Sequence, residues 1–296
     1  MKIAFLACPE TMPRAATRRG DAFEHDLQVA ALRPAIEAVG GELVEIDWHS
    51  PLADFAGFDC ALLGTAWDYQ DQPDSFLKKL QQLVAAGIDV HNPPALVRWN
   101  MDKTYLRDLS GRSARIIPTL WSDNPCRSDI AAALDHFGSE QVVVKPQIGA
   151  GGTGQHVFGR ETLPPDTWQM GQAAMIQPFL AAIKHEGELS LVFIDGAFSH
   201  AIRKIPAADE YRVQSLFGGR EEPITPSDSD ISAAASILAA IPFETPLYAR
   251  IDLLRADDGE LMVMEAEAIE PFLYPAQGPD LGPRLAEAIR WRLENR

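Results

Sequence analysis

Three observations predict an α/β fold whose C-terminal part turns to α+β. Strands alternate with helices over the first ninety residues, a β-branched run then delivers one lysine to a glycine-rich loop, and two hairpins follow. Ile3–Cys8 reads as a buried strand, because its apolar run is too short for a signal peptide and Pro9-Glu10 ends it. Ala22–Val39 reads as a helix stopped by Gly40-Gly41. Leu43–Trp48 and Asp59–Leu63 are the next strands, Pro73–Ala86 a helix closed by Gly87, and Ile88–His91 a fourth strand. Such alternation builds a parallel, doubly wound sheet. Asn92-Pro93-Pro94 then punctuates the chain, which places a first domain over residues 1–95.

Residues 96–180 read as a smaller lobe. Leu96–Leu109 is predicted helical and carries Lys103, and Ser128–Phe137 is a second helix. After them come the lysine strand Val142–Val144, the glycine loop, the alternating Gln155–Phe158 and a strand over Ala174–Pro178. Residues 181–296 form the last lobe. Glu188–Ile194 turns at Asp195-Gly196 and returns through Phe198–Ile205, a hairpin pattern. Ser227–Ala240 is a capped helix, Leu247–Leu254 and Leu261–Glu267 pair across Asp257-Asp258-Gly259, and Leu281–Asn295 is the closing helix.

Composition excludes several classes of function. Hydrophobic content of 46% and charged content of 23% are ordinary for a globular protein, and 296 residues suffice for two or three lobes. A formal net charge of -16 disfavours nucleic acid or an anionic membrane as partner. Cys8, Cys60 and Cys126 are odd in number and far apart, which predicts no disulfide framework and a reduced, cytoplasmic setting. No stretch reaches the roughly 18 apolar residues of a membrane helix.

The loop Gly149-Ala150-Gly151-Gly152-Thr153-Gly154 follows Lys145 within ten residues. Glycines leave backbone N–H groups bare and free to take positive φ, so the loop suits an anion, and the lysine adds a point charge beside it. Gly149, Gly151 and Gly154 also satisfy the dinucleotide fingerprint, but that motif must open a helix, whereas Gln155–Phe158 alternates as a strand. The P-loop reading fails because Gln155 stands where its lysine belongs. A β-hairpin flap over phosphates fits best, with a simple glycine turn as the alternative. Gln177-Pro178-Phe179-Leu180 is either an ordinary strand end or a source of backbone groups for an adenine edge.

Asp252 lies in an apolar strand, and Glu265 and Glu267, two apart in the next, share one face. Hairpin pairing brings Asp252 beside them. Clustered carboxylates repel one another unless a cation sits among them, which points to Mg²⁺, with a solvated acidic edge as the alternative. Arg203, Arg212 and Arg250 interleave with these carboxylates in sequence and present donor forks for carboxylate or phosphoryl oxygens. Trp67, Asp68 and Tyr69 follow a strand at the carboxyl edge of the first sheet, and Glu10, Arg14 and Arg18 follow the first strand. Both sets are candidates for contact with a substrate or for lobe packing. No pair of histidines with metal spacing and no nucleophile elbow is present.

Taken in order, these residues resemble the ATP-grasp superfamily of ligases over roughly residues 90–275, with a Rossmann-like lobe ahead of them. Gly187–Arg220 is similar to bacterial glutathione synthetases. Trp67-Asp68-Tyr69, Asn92-Pro93-Pro94, Arg98–Leu106 and Glu265–Pro271 resemble the cyclo-ligase of D-cycloserine biosynthesis and its relatives. The resemblance implies two lobes sandwiching ATP, with Lys103 and Lys145 on the α- and β-phosphates. Gly151, Gly152 and Thr153 would cover the phosphates, Gln177–Leu180 would hold the adenine hinge, and Glu188 would add a nucleotide contact. Asp252, Glu265 and Glu267 would carry two Mg²⁺ ions, although many members have asparagine where Glu267 stands. Arg250, with Arg203 as second choice, would steady the γ-phosphoryl group and an acylphosphate. The substrate implied is a small amino-acid-like carboxylate with an amine or ureido nitrogen as nucleophile. A homodimer is implied by analogy. An intermolecular amino-acid ligase, a phosphotransferase and a non-catalytic nucleotide-binding module are the rival readings.

Overall fold

Short, nearly continuous apolar runs at the start of the chain produce the first sheet. The computed structural model describes residues 1–149 and 151–295. Its first strands are β1 (Lys2–Ala7), β2 (Glu42–Asp47), β3 (Cys60–Thr65) and β4 (Asp89–Val90), with helices α1 (Ala22–Ala38) and α2 (Pro73–Ala85) between them. They form a parallel sheet in the order β2-β1-β3-β4. β1 is buried from Ile3 onward, as a strand covered on both faces must be.

The helix expected over residues 96–109 is two helices, α3 (Pro94–Asn100) and α4 (Tyr105–Gly111). Lys103 therefore stands in a turn and not on a helix. Long-range hydrogen bonds make the break. The Asn100 amide donates to the Ala266 carbonyl at 2.7 Å and accepts from the Ala268 N–H at 2.8 Å. The Lys103 N–H goes to the Gln147 carbonyl at 2.9 Å. The Lys103 N–H thus finds its partner outside the helical ladder, while the Asn100 side chain ties the end of α3 to a segment remote in sequence.

The second sheet holds β5 (Leu120–Ser122), β6 (Gln141–Pro146), β7 (His156–Gly159) and β8 (Ala174–Pro178) in the order β5-β8-β6-β7, all antiparallel. Helix α5 (Arg127–Phe137) covers it through Ile130, Ala133 and Leu134. The short α6 (Ala182–His185) leads to the third sheet. That sheet comprises β9 (Glu188–Ile194), β10 (Ala197–Ile205), β11 (Arg220–Ile224), β12 (Tyr248–Arg255) and β13 (Leu261–Glu267). Its order is β11-β10-β9-β12-β13, again antiparallel. β5, α6 and β11 have no counterpart in the sequence reading. β11 carries Pro223, which only an edge strand tolerates well.

Helices α7 (Asp228–Ala239) and α8 (Leu281–Glu294) complete the chain. α8 packs on α1, and Leu281, Leu285 and Ile289 join Leu32 and Ile36 in one core with Val192 and Tyr248 of the third sheet. The approach is close: a Cβ on Gly282 would lie 2.3 Å from the Ala31 carbonyl oxygen. This contact seats the N-terminal end of α1 above the third sheet. The first and third sheets thereby share a core, while the second sheet has its own. Among the described residues no helix is long and apolar enough to cross a membrane.

Candidate active site

A cleft of about 210 Å³ opens between the second and third sheets, with the loop before α1 forming its far wall. β6 delivers Lys145 to its floor. Only 7% of that residue is exposed, and no described residue accepts a hydrogen bond from its ammonium. Burial pushes Lys145 below the usual lysine range. The turn after α3 sends in Lys103, whose ammonium donates to the Gly149 carbonyl at 2.7 Å and lies 3.4 Å from Glu265 Oε1. Gly151, Gly152 and Thr153 line the cleft above both lysines. At Gly152 φ is +71°, and a Cβ there would meet Gln214 Oε1 at 2.9 Å, so the loop docks closely on the segment between β10 and β11. Ala150 lies outside the described residues. Gln177, Pro178, Phe179 and Leu180 line the same cleft, as does Glu188.

The acidic floor is built by strand pairing. Asp252 on β12 is the partner of Glu265 on β13, and Arg250 is the partner of Glu267. The expected repulsion among these carboxylates is relieved by the protein's own cations. Arg250 Nε donates to Asp252 Oδ1 at 2.9 Å, while its Nη2 reaches Asp252 Oδ2 at 2.9 Å and Glu267 Oε1 at 2.5 Å. Lys204 Nζ donates to Glu188 Oε1 at 2.5 Å and Asp252 Oδ2 at 3.2 Å, and Ser190 Oγ donates to Asp252 Oδ1 at 2.6 Å. Among the described residues, no three acidic, histidine or cysteine side chains converge on one metal-sized point. The three-carboxylate cluster expected from the sequence is thus interrupted by Arg250, Lys204 and Lys103.

The donor set still fits a hard divalent cation. Glu265 and Glu267 line the cleft with 17% and 31% of their side chains exposed, and Glu188 Oε2 is buried with no hydrogen-bond partner among the described residues. Burial raises the carboxyls of Glu188 and Glu267 above the usual range, so the protein's cations do not fully compensate them. Glu265 differs: although burial opposes it, the Lys103 and Lys145 ammoniums hold it below that range.

Other positions differ from the sequence reading. Arg203 does not line the cleft; the opposite side chain of β10, Lys204, does. Glu10 and Arg14 are exposed and outside it. Arg18 pairs with Asp26 at 2.8 Å, and Asp68 accepts from the Trp48 indole at 2.6 Å, so both serve packing. Tyr69 is buried in the first lobe's core and reaches only a small adjoining cavity behind Glu265 and Glu267. Trp67 and Arg212 do line the cleft. The wall also presents Glu270, from the Glu265–Pro271 segment, and Arg19, Asp21, Glu24, Glu221 and Tyr274, which lay in no recognisable motif.

Two of these carboxyls make stability depend on pH. Burial raises Glu24 to about 7 and Glu270 to about 8, against 4.5 for the ordinary group. Between those values the unfolded chain releases protons that the folded chain keeps, so stability falls as pH rises. His200, which burial holds below the usual imidazole range of 6.5, has the opposite sign but acts only below that pH. The melting temperature of the ligand-free protein is therefore expected to drop from pH 6.5 to 8.5, less steeply in Glu270→Gln. A melting temperature that rises across that window would contradict the assignment.

A family profile for the prokaryotic glutathione synthetase ATP-grasp domain matches residues 115–265, half of the chain. The chain belongs to the ATP-grasp family. It is an ATP-dependent ligase, and its ATP-grasp lobes follow an N-terminal part, residues 3–92, that matches the N-terminal domain of D-cycloserine synthetase DcsG. The cycloserine biosynthesis protein DcsG of Streptomyces lavendulae is 28% identical over 286 residues, 91% of this chain and 95% of that one. A glutathione synthetase of Bradyrhizobium diazoefficiens is 28% identical over 212 residues, covering 68% of this chain and 63% of that one. The crystal structure of D-cycloserine synthetase DcsG superposes with a TM-score of 0.84 at 25% identity, covering 99% of this chain and 100% of that one. The D-alanine–D-alanine ligase of Bacillus anthracis complexed with ATP shares the fold, with a TM-score of 0.70 at 18% identity and full coverage of both chains.

Proposed function

We propose that this ATP-grasp ligase joins a carboxylate to a nitrogen by way of an acylphosphate, on a small amino-acid-like substrate, and that the nitrogen belongs to the same molecule, so that a ring closes. The observation that carries the nucleotide part is Lys145, a buried lysine whose ammonium has no hydrogen-bond partner among the described residues, beside a glycine loop. A charge so desolvated calls for an anion, and a phosphate chain supplies one. The likeness to D-cycloserine synthetase over nearly the whole chain supports the ring closure.

Lys103 and Lys145 hold the α- and β-phosphates, and the amides of Gly151, Gly152 and Thr153 cover them. Gln177–Leu180 flank the adenine, and Glu188 contacts the nucleotide. Asp252, Glu265 and Glu267 would hold Mg²⁺, which when bound would neutralise negative charge on the nucleotide. The substrate carboxylate oxygen attacks the γ-phosphorus and ADP departs. The nitrogen then attacks the acyl carbon and loses a proton as phosphate departs. Arg250 and Lys204, both of which line the cleft, stabilise the phosphoryl group in transit. Arg203 has no part in this, because it lies off the cleft. The glycine loop, seated against Gln214, excludes water that hydrolyses an acylphosphate.

The match to glutathione synthetases over the ATP-grasp lobes favours a second reading, ligation between two molecules. ADP and phosphate release from Mg²⁺-ATP, measured over amino acids and their ureido and hydroxamate derivatives singly and in pairs, separates the two. Release with one substrate and a product lighter by one water supports ring closure. Release only with pairs supports intermolecular ligation. ATP binding with no release for any combination would defeat both.

A further inference from the structure

Deepening that reading, we propose that Arg19 and Glu24, which bracket the turn into α1, form a two-pronged clamp for an α-amino acid: Arg19 takes the carboxylate and Glu24, with Glu221, takes the ammonium. Arg19 is preorganised for an anion. Its Nε and Nη2 donate to Asp21 Oδ1 and Oδ2 at 2.8 and 2.9 Å, and its guanidinium lies 5.2 Å from the centre of the Trp67 ring. Trp67 is itself fixed, its indole donating to the Glu270 carbonyl at 3.2 Å. Nη1 of Arg19 has no partner among the described residues, and the residue lines the cleft, so one face of a rigid fork stays free.

Glu24 lies one helical turn on and is fixed independently. Ser215 Oγ donates to its Oε1 at 2.8 Å, which ties α1 to the segment between β10 and β11. Among the described residues its second oxygen has no hydrogen-bond partner, and Glu221 lines the same wall. Burial raises both carboxyls, Glu24 further through the nearby Glu221 and Asp21 charges. That cost falls when an ammonium sits between them. Besides the phosphate lysines the cleft thus holds a free guanidinium face beside carboxylates, and one oxygen of a carboxylate held there stays open to the γ-phosphorus. A zwitterion matches that pairing of charges, and a simple carboxylic acid does not.

The test is calorimetric binding of D- and L-serine and of 3-hydroxypropionate, the deaminated probe, to the whole protein with a non-hydrolysable ATP analogue present. The wild type is expected to bind one serine enantiomer at least about ten-fold more tightly than 3-hydroxypropionate, the effect of one charge-assisted hydrogen bond. Glu24→Gln, which keeps an acceptor for Ser215, is expected to erase that difference, and Arg19→Lys to weaken both probes by about ten-fold. Absence of serine binding, equal binding of serine and 3-hydroxypropionate by the wild type, or unchanged preference in Glu24→Gln overturns the clamp. Serine binding with no ADP release for any substrate would overturn the ligase reading and leave the clamp standing.

Discussion

Replacing Glu265 by glutamine is expected to abolish Mg²⁺-ATP-dependent ADP release, by about a thousand-fold or more, with the fold intact. Glutamine keeps the shape and the oxygen but loses the charge that a hard divalent cation requires. Glu265 is the right member of the acidic floor for this test. Among the described residues its one close ion pair is Lys103 at 3.4 Å, and Lys103 keeps its bond to the Gly149 carbonyl without it. Asp252 offers no such clean separation. It binds Arg250, Lys204 and Ser190 while almost fully buried, so Asp252→Ala leaves two buried cations short of a partner. That change is expected to cost about 3–5 kcal/mol of stability along with activity. Circular dichroism melts beside the ADP assay separate the variants. Glu265→Gln with wild-type turnover would falsify the metal assignment.

The contrast shows why part of this site was legible in the sequence and part was not. Asp252, Glu265 and Glu267 were readable because strand alternation and hairpin pairing are local rules, and the register indeed sets Asp252 against Glu265. The glycine loop and Lys145 were readable for the same reason, one strand leading directly into one turn. Lys204 was not. β10 slips its register between Phe198 and His200, so counting alternate residues from the Asp195-Gly196 turn assigns the wrong face to everything beyond. Arg203, the richer hydrogen-bonding side chain, was the natural choice, and the slip turns it away. Lys103 was placed on a helix because the partners that interrupt the helix, Ala266, Ala268 and Gln147, are remote in sequence. Arg19 and Glu24 belong to an ordinary helix entry with an acidic first turn. Only the packing of α8 on α1 carries that entry over the third sheet, and no local pattern encodes it. The cations among the carboxylates have the same origin: local strand pairing explains why a counter-charge is needed, and tertiary contact decides which one supplies it.

Lys145→Met is expected to lose ATP affinity by about a hundred-fold while raising the melting temperature. The residue is only 7% exposed, its ammonium has no hydrogen-bond acceptor among the described residues, and burial holds it below the usual lysine range. In the ligand-free protein it is a cost, offset in part by the Glu265 carboxylate. Methionine matches the lysine stem in length and flexibility and removes the desolvated charge, which stabilises the fold by on the order of 1 kcal/mol. Lys103 remains beside Glu265, so the acid is not left alone. The nucleotide, however, loses the charge-assisted bond for which that cost is kept, and one such bond to phosphate accounts for a loss of this size. Opposite movements of stability and affinity are what a binding residue under strain produces, whereas a structural lysine would lower both. Calorimetric titration with Mg²⁺-ATP and a thermal melt of the same preparation read the two quantities. A variant that binds ATP as the wild type does, or that melts earlier, would show that Lys145 holds the fold and not the phosphates.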